Sequence, residues 1–215
     1  KVRGVPLKFS LNLESIQLYP NRNLMGVNGI ISYDGWVWNE ASLKAGRGLN
    51  NALDIKLEPK NGKRHLNVEA NNAGAILKIF DYYDNLIGGK LSLRGEYDGM
   101  SPDSKFSGHV RIDDFRIIKA PILANLLNVA SITGIVDELI GGVGIGFRRL
   151  VAPFESKDDV ITINETDATI KVSKIRVDKL EISYKKCLLD YRIAYFNGDL
   201  DFTYAIITDG STAIP

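Results

Sequence analysis

The sequence predicts a mostly β protein in which one antiparallel meander sheet is interrupted by two short helices, at about residues 72–87 and 120–140. Three observations support this fold class. Apolar and polar residues alternate along most of the chain, which is the pattern of strands with one apolar face. Pairs of turn-forming residues separate the alternating stretches. Two stretches instead carry apolar residues at helical spacing.

Five stretches show the strand alternation, beginning with "LKFSLNLE", in which apolar side chains take the odd positions. The parity changes at Asp113-Asp114, after which Phe115 and Ile117 continue on odd numbers, so we expect a bulge there. The stretch "GFRRLVAPFES" (146–156) also reads as a strand. The apolar positions of the five stretches are Leu7, Phe9, Leu11 and Leu13; Leu53, Ile55 and Leu57; Leu91, Leu93 and Tyr97; Phe106, Val110 and Ile112; and Leu200, Phe202, Tyr204 and Ile206.

Turn signals lie between the strands, at Pro20-Asn21, Asp34-Gly35, Asn61-Gly62, Asp98-Gly99 and Asn197-Gly198. Asn61-Gly62 and Asn197-Gly198 suit two-residue hairpin turns, because Asn and Gly accept the positive φ that such turns need. About a dozen strands result, and their short connections predict an antiparallel meander with one apolar face.

The first helical stretch, "NNAGAILKIFDYYDNLIGG", has Ile76, Leu77, Ile79, Phe80, Tyr83 and Leu86 at helical spacing. Asn71 or Asn72 can cap its start, and Gly88-Gly89 is expected to end it.

The second helical stretch contains seventeen residues without a charge, Ala120 to Val136. A membrane-spanning helix needs about 20 predominantly apolar residues. This stretch is shorter, contains Pro121 and Gly134, and is amphipathic, so we expect helices packed on the sheet. The stripe that would pack is formed by Ile122, Leu123, Leu126 and Leu127.

Composition and charge exclude several functions for these 215 residues. The formal net charge of +1 is too small for a strong electrostatic grip on nucleic acid. Cys187 is the single cysteine, so no intrachain disulfide and no cysteine-based metal cluster can form, and we expect no metal and no cofactor. Because the chain begins at Lys1 without a signal peptide, we interpret it as a fragment of a longer protein.

No motif predicts catalysis. The glycines of "GGVGIGF" (141–147) follow a helical stretch and lead into a strand, the reverse of a dinucleotide-binding loop. The acidic pair Asp113-Asp114 occupies adjacent strand positions, which point to opposite faces. His109 has no evident nucleophile or orienting carboxylate. Trp36 and Trp38, two residues apart, either cover an edge of the core or form an aromatic rim at a lipid–water boundary.

The apolar faces of the strands leave two architectures open. In a sandwich they are buried against a second sheet. In a curved sheet that does not close they line a groove. The solvent state of Phe106, Val110 and Ile112 distinguishes these alternatives.

The segments "NNAGAILKIFDYYDNLIGGKLSL", "GHVRIDDFRIIKAP", "SITGIVDEL", "FRRLVAPFE" and "DDVITINETDAT" resemble the C-terminal region of the AsmA-like family, most closely its YhdP-type branch. The resemblance extends from about Asn71 to Thr169. Residues 1–70 fit as generic groove strands, and residues 171–215 are divergent strands. The whole chain, 1–215, is then a single β-groove module.

The resemblance implies a non-enzymatic, lipid-binding module of the bridge-like lipid-transfer type. Such proteins are anchored in the inner membrane of Gram-negative bacteria, extend through the periplasm and are implicated in phospholipid transport to the outer membrane and in outer-membrane biogenesis. The expected partners are phospholipid acyl chains, with membranes contacted by parts of the parent protein outside this chain. The alternative is a structural scaffold that acts in envelope assembly through protein contacts. The residues expected to line the groove are Leu7, Phe9, Leu11, Leu91, Leu93, Phe106, Val110, Ile112, Phe202 and Tyr204, with the stripe Ile122, Leu123, Leu126 and Leu127 packed on it.

Overall fold

A computed structural model of the protein describes the backbone of residues 3–46, 52–118, 144–157, 160–170, 174–183, 188–195, 200–207 and 212–214, and the side chains up to residue 163 within these ranges. The described strands form one thirteen-stranded sheet in which each strand pairs antiparallel with the next along the chain. The elements are β1 Leu7–Tyr19, β2 Arg22–Tyr33, β3 Trp38–Ala45, β4 Leu53–Lys60, β5 Lys63–Ala70, α1 Ala73–Ile79, β6 Leu86–Tyr97, β7 Phe106–Ile117, β8 Ile145–Lys157, β9 Val160–Ile170, β10 Lys174–Ser183, β11 Leu188–Tyr195, β12 Leu200–Ile207 and β13 Thr212–Ile214.

The predicted fold class, a mostly β antiparallel meander, is confirmed. In the described part of the chain β1 and β13 form the two edges, so the sheet is open. This open meander of many strands is consistent with a curved sheet, because the twist between neighbouring strands accumulates across the sheet.

The turns follow the predicted chemistry. Asn61 and Gly62 join β4 to β5 with φ values of 53° and 76°, both in the left-handed region. Asn21 has a φ of 61° between β1 and β2. The other predicted hairpin turn, Asn197-Gly198, lies outside the described residues, although the strands on either side of it, β11 and β12, are paired antiparallel.

The first predicted helix exists but is shorter than expected. Helix α1 ends at Ile79, whereas the sequence predicts helix to about residue 87. Asp81 adopts a φ of 61° directly after the helix, in the place that glycine usually takes. The Tyr82 N–H then donates to the carbonyl of Leu77, 2.8 Å away, which closes the helix end.

Residues that the sequence assigned to this helix belong to the next strand. Leu86 is in β6, and Gly88 and Gly89, expected to end the helix, lie inside β6 with φ values of 69° and 83°. The start of α1 is as predicted, because the Asn72 side chain accepts a hydrogen bond from the Ala75 N–H at 3.0 Å. Among the described residues, no helix is long and apolar enough to span a bilayer.

The second predicted helix, at about 120–140, falls outside the described residues, and so does its stripe of Ile122, Leu123, Leu126 and Leu127.

The parity change predicted at Asp113-Asp114 is confirmed, and the neighbouring strands share it. Asp114 has a φ of 53°, and Ile112 and Phe115 on either side are both buried on one face. Gly89 of β6 and Arg148 of β8 fall opposite Asp114, so the pairing register of β6, β7 and β8 is unchanged. The pairing of β8 with β9 shifts register between Phe147 and Arg149, so the irregularity lies between these two strands instead of between β7 and its neighbours.

The two faces of the sheet differ in chemistry. One face, here called the apolar face, carries the buried cluster that includes Val27, Leu53 and Ile112. The opposite, polar face carries ion pairs: Asp113 Oδ2 lies 2.6 Å from Arg111 Nε and Asp113 Oδ1 lies 2.7 Å from Arg149 Nε. The Arg111 hydrogen bond, followed by that of Arg149, holds the pKa of Asp113 below its ordinary value.

Candidate ligand-binding face

Eight of the predicted groove residues have side chains that the structure describes, and the strand register places all eight on the apolar face. Leu91 pairs with Ile112 and Leu93 with Val110, so the odd positions of β6 share a face with the even positions of β7. The same rows continue through β2 to β5 and reach β1. The eight residues so placed are Leu7, Phe9, Leu11, Leu91, Leu93, Phe106, Val110 and Ile112. Phe202 and Tyr204 lie in β12, where the structure describes the backbone only.

One row of directly paired residues crosses eight strands of the apolar face. It carries seven aliphatic side chains and one glycine, Gly29. At a strand spacing of about 4.8 Å, this row is roughly 34 Å long. The residues in order from β1 to β8 are Leu11, Gly29, Leu43, Ile55, Val68, Leu93, Val110 and Ala152.

Helix α1 covers one end of the apolar face. Ala73 is fully buried and Ile76 is 5% exposed, and the helix contacts β2 as well as β6 and β7. Strands β2 and β6 are four positions apart, about 19 Å in a flat sheet, whereas seven helical residues extend about 10 Å. Contacts on both sides therefore indicate that the sheet curves around α1. Arg22 of β2 reinforces this closure through an ion pair to Asp81, with a nitrogen–oxygen distance of 2.8 Å.

The rest of the apolar face is less covered. Phe9 is 43% exposed and Trp38 is 46% exposed, while Phe106 and Val110 are half-buried. Among the described residues, no large side chain is less than 2% exposed. A core between two packed layers normally encloses several such side chains. Within the described part of the chain, the apolar face thus lacks the complete cover that a sandwich would give it.

The end of the apolar face opposite α1 is aromatic. Tyr33 and Trp38 have ring centroids 5.4 Å apart, and Tyr97 stacks on Phe106 with centroids 4.4 Å apart. The Phe106 ring also fills the space over Gly95, where an added Cβ would lie 2.4 Å from the ring. We call this set of residues, with Arg64 between its two halves, the aromatic row: Tyr33, Trp38, Arg64, Tyr97 and Phe106.

Arg64 is the buried charge in this row, with only 5% of its surface exposed. Its guanidinium carbon lies 4.1 Å from the centroid of the Tyr97 ring, a cation–π geometry. Nε donates to the carbonyl of Gly99 at 3.1 Å, Nη1 to that of Trp38 at 3.1 Å, and Nη2 to that of Ser101 at 3.3 Å. Burial lowers the pKa of Arg64 from its ordinary value, while the negative charge of Asp34 opposes the shift.

Sequence reasoning missed Arg64, although its signal was present. In "RHLNVEA" Arg64 has the same parity as Leu66, Val68 and Ala70, so alternation alone places it on the apolar face. Of the two tryptophans, Trp38 lies on that face beside Phe9, with centroids 6.3 Å apart, whereas Trp36 lies in the bend before β3.

The polar face carries shallow depressions of its own. One of about 380 Å³ is lined by residues of β2 to β5 that include Lys44, Asp54 and Glu69. A second, of about 200 Å³, is lined by Lys56, Asn67 and Arg94 along with the same two acids. The charged side chains of both signs that line these depressions do not suit an apolar ligand.

No protein-family model, curated protein or solved structure matches the chain. The assignment to the AsmA-like family therefore stays a prediction from the sequence.

Proposed function

We propose that this chain binds the acyl chains of phospholipids along its apolar face, without catalysing a reaction. In this proposal it is a groove module of an AsmA-like protein that is anchored in the inner membrane of a Gram-negative bacterium. The module lies in the periplasm and supports phospholipid transport between the inner and outer membranes and outer-membrane biogenesis.

The observation that supports this proposal is the aliphatic row that crosses eight strands without complete cover by the described protein. Water in contact with such a surface is unfavourable, and an apolar ligand would displace it. Each methylene of an acyl chain that leaves water is stabilised by about 0.8 kcal/mol. The ion-paired polar face would remain in water.

Site-specific photocrosslinking tests the proposal without introducing a charge into the apolar face. A benzophenone amino acid would be placed at Val110, on the apolar face, or at His109, its neighbour on the polar face. Because adjacent strand residues point to opposite faces, His109 is a matched control. We expect phospholipid adducts at position 110 and few or none at position 109, detected by mass spectrometry of the purified chain.

Equal labelling at the two positions, or no adduct at 110 after incubation with phospholipid vesicles, would contradict lipid binding on this face. A folded chain that stays free of lipid would favour the alternative, a scaffold that acts through protein contacts. Native mass spectrometry of the unmodified chain gives the stoichiometry of any lipid that co-purifies.

A further inference from the structure

Arg64 interrupts an otherwise apolar face at a defined distance from α1. Arg64 lies six positions along β5 from Ala70, which belongs to the buried cluster under the helix. At about 3.4 Å per residue this separation is roughly 20 Å along the strand. The aliphatic side chains of Leu66 and Val68 lie between the two ends on the same face. The apolar face is therefore polarised, with a cation at one end and, at the other, the apolar cluster that α1 covers.

The positive charge of Arg64 lacks a close anionic partner. Among the described residues, no ion pair involves Arg64, and its three acceptors are all backbone carbonyls. Arginine remains protonated in proteins, and Asp34, whose charge acts on Arg64, forms no ion pair with it within 4.0 Å, so this buried charge has no direct ionic contact among the described residues. A guanidinium has five N–H donors, and the three carbonyls use one each of Nε, Nη1 and Nη2. One N–H on each terminal nitrogen is left for a further acceptor, and an oxyanion is the acceptor with which a guanidinium forms its strongest hydrogen bonds.

We infer that Arg64 binds the oxyanion of an acyl lipid, a phosphate or a carboxylate, while the acyl chain runs along the strands toward α1. This inference rests on the proposed function and adds the polarity and charge of the ligand. Tyr33, Trp38 and Tyr97 would then surround the boundary between head group and chain, where aromatic rings with a polar tip are favourable.

Binding of a set of ligands with the same acyl chain tests the inference in the unmodified protein. The probes are oleic acid, oleoyl lysophosphatidic acid, mono-oleoylglycerol and inorganic phosphate, each titrated by isothermal calorimetry or tryptophan fluorescence. We expect both anionic lipids to bind about tenfold or more tightly than the neutral glyceride, because a charge-assisted hydrogen bond is formed only with them. Inorganic phosphate alone should bind much more weakly than either anionic lipid.

The variants Arg64→Gln and Arg64→Lys separate recognition from structure. Gln removes the charge, whereas Lys keeps it without the fork, so discrimination between anionic and neutral lipids should vanish in Arg64→Gln and persist in part in Arg64→Lys. The folding of each variant is checked by thermal unfolding monitored by circular dichroism. If Arg64→Gln fails to fold, the comparison of ligands in the unmodified protein and in Arg64→Lys still decides the matter.

Each outcome has a separate meaning. If all three lipids bind with equal affinity, Arg64 only fastens the Gly99 and Ser101 backbone to the sheet, and the inference is wrong while the proposed function stands. If Arg64→Gln weakens the binding of every lipid by the same factor, the inference is likewise wrong and the proposed function stands. If no lipid binds, the proposed function itself fails. Tight binding of inorganic phosphate alone would indicate an anion site that is unrelated to lipids.

Discussion

Replacing Gly74 by alanine should dislodge α1 from the sheet. A Cβ at position 74 would lie 2.1 Å from the Leu86 carbonyl oxygen and 2.8 Å from its carbon, and both atoms belong to the backbone of β6. A backbone inside a paired strand cannot move aside as a flexible side chain can, so the helix must shift instead. That shift exposes part of Ile76, which is 5% exposed in the native structure.

The magnitude follows from opposing terms. Alanine is favoured over glycine in a helix by about 1 kcal/mol. Overpacking costs about 1–3 kcal/mol, and fully burying a side chain such as isoleucine contributes about 1.5–3 kcal/mol, part of which is lost. The steric terms exceed the propensity gain, and we expect a net destabilisation of about 2 kcal/mol. For a chain of this size that corresponds to a lower Tm by about 4–8 °C.

Urea unfolding followed by circular dichroism measures this effect, with Gly146→Ala as the matched control. A Cβ at Gly146 would meet no atom within 4 Å, and its φ is not in the left-handed region. The control should therefore change the free energy of unfolding by less than about 0.5 kcal/mol. If Gly74→Ala is as stable as Gly146→Ala, or more stable than the parent chain, α1 does not pack on β6 as described.

Two further substitutions test local interactions. Asn72→Ala removes the acceptor for the Ala75 N–H and should destabilise the chain by about 0.5–2 kcal/mol, with faster amide exchange confined to the first turn of α1; unchanged exchange there would argue against the cap. Asp113→Asn removes the ion pairs to Arg111 and Arg149 and should cost up to about 1 kcal/mol at pH 7. Because the folded pKa of Asp113 is lowered, its contribution is present above the unfolded pKa of about 3.9 and is lost as pH falls through the folded pKa. The difference from the parent chain should thus shrink as the pH falls below about 4 in urea titrations, and a difference that stays constant in acid would contradict this assignment.

The strands and their faces could be predicted because the side-chain period of a strand is short and local. Each strand of β1, β6 and β7 shows its alternation within a few residues, and even the change of parity at Asp114 is visible in the residue types around it. Register then follows from burying one face, since a slip by one residue would expose the whole apolar set.

The end of α1 could not be predicted because it depends on contacts between distant residues. Glycine pairs commonly end helices, yet Gly88 and Gly89 lie inside β6, where their positive φ values allow the strand to change parity. Asp81 takes the left-handed position instead, where an ion pair from Arg22, far away in sequence, holds it. Tertiary contact here outweighs the local propensity.

The candidate site was predictable in its aliphatic part and not in its charged part. The apolar side chains around Leu93 and Val110 recur at every second position, and this repetition predicts the face that they share. Arg64 occurs once, and hydrophobic patterning treats a single charge as an interruption. Its surroundings become visible only in the structure, where the carbonyl of Trp38, at the start of β3, and that of Ser101, between β6 and β7, both accept hydrogen bonds from it.

The shared change of parity at Gly89, Asp114 and Arg148 also constrains how the gene can vary in length. Deleting Asp114 alone would restore plain alternation within β7, but it would shift the end of β7 by one residue against β6 and β8, so that Phe115 would no longer pair with Gly88 and Phe147. The strand pairing would be kept only if β6 and β8 each lost one residue as well. We therefore expect related sequences to gain or lose residues at Gly89, Asp114 and Arg148 together, one in each strand, because a change in a single strand would break its pairing with the other two.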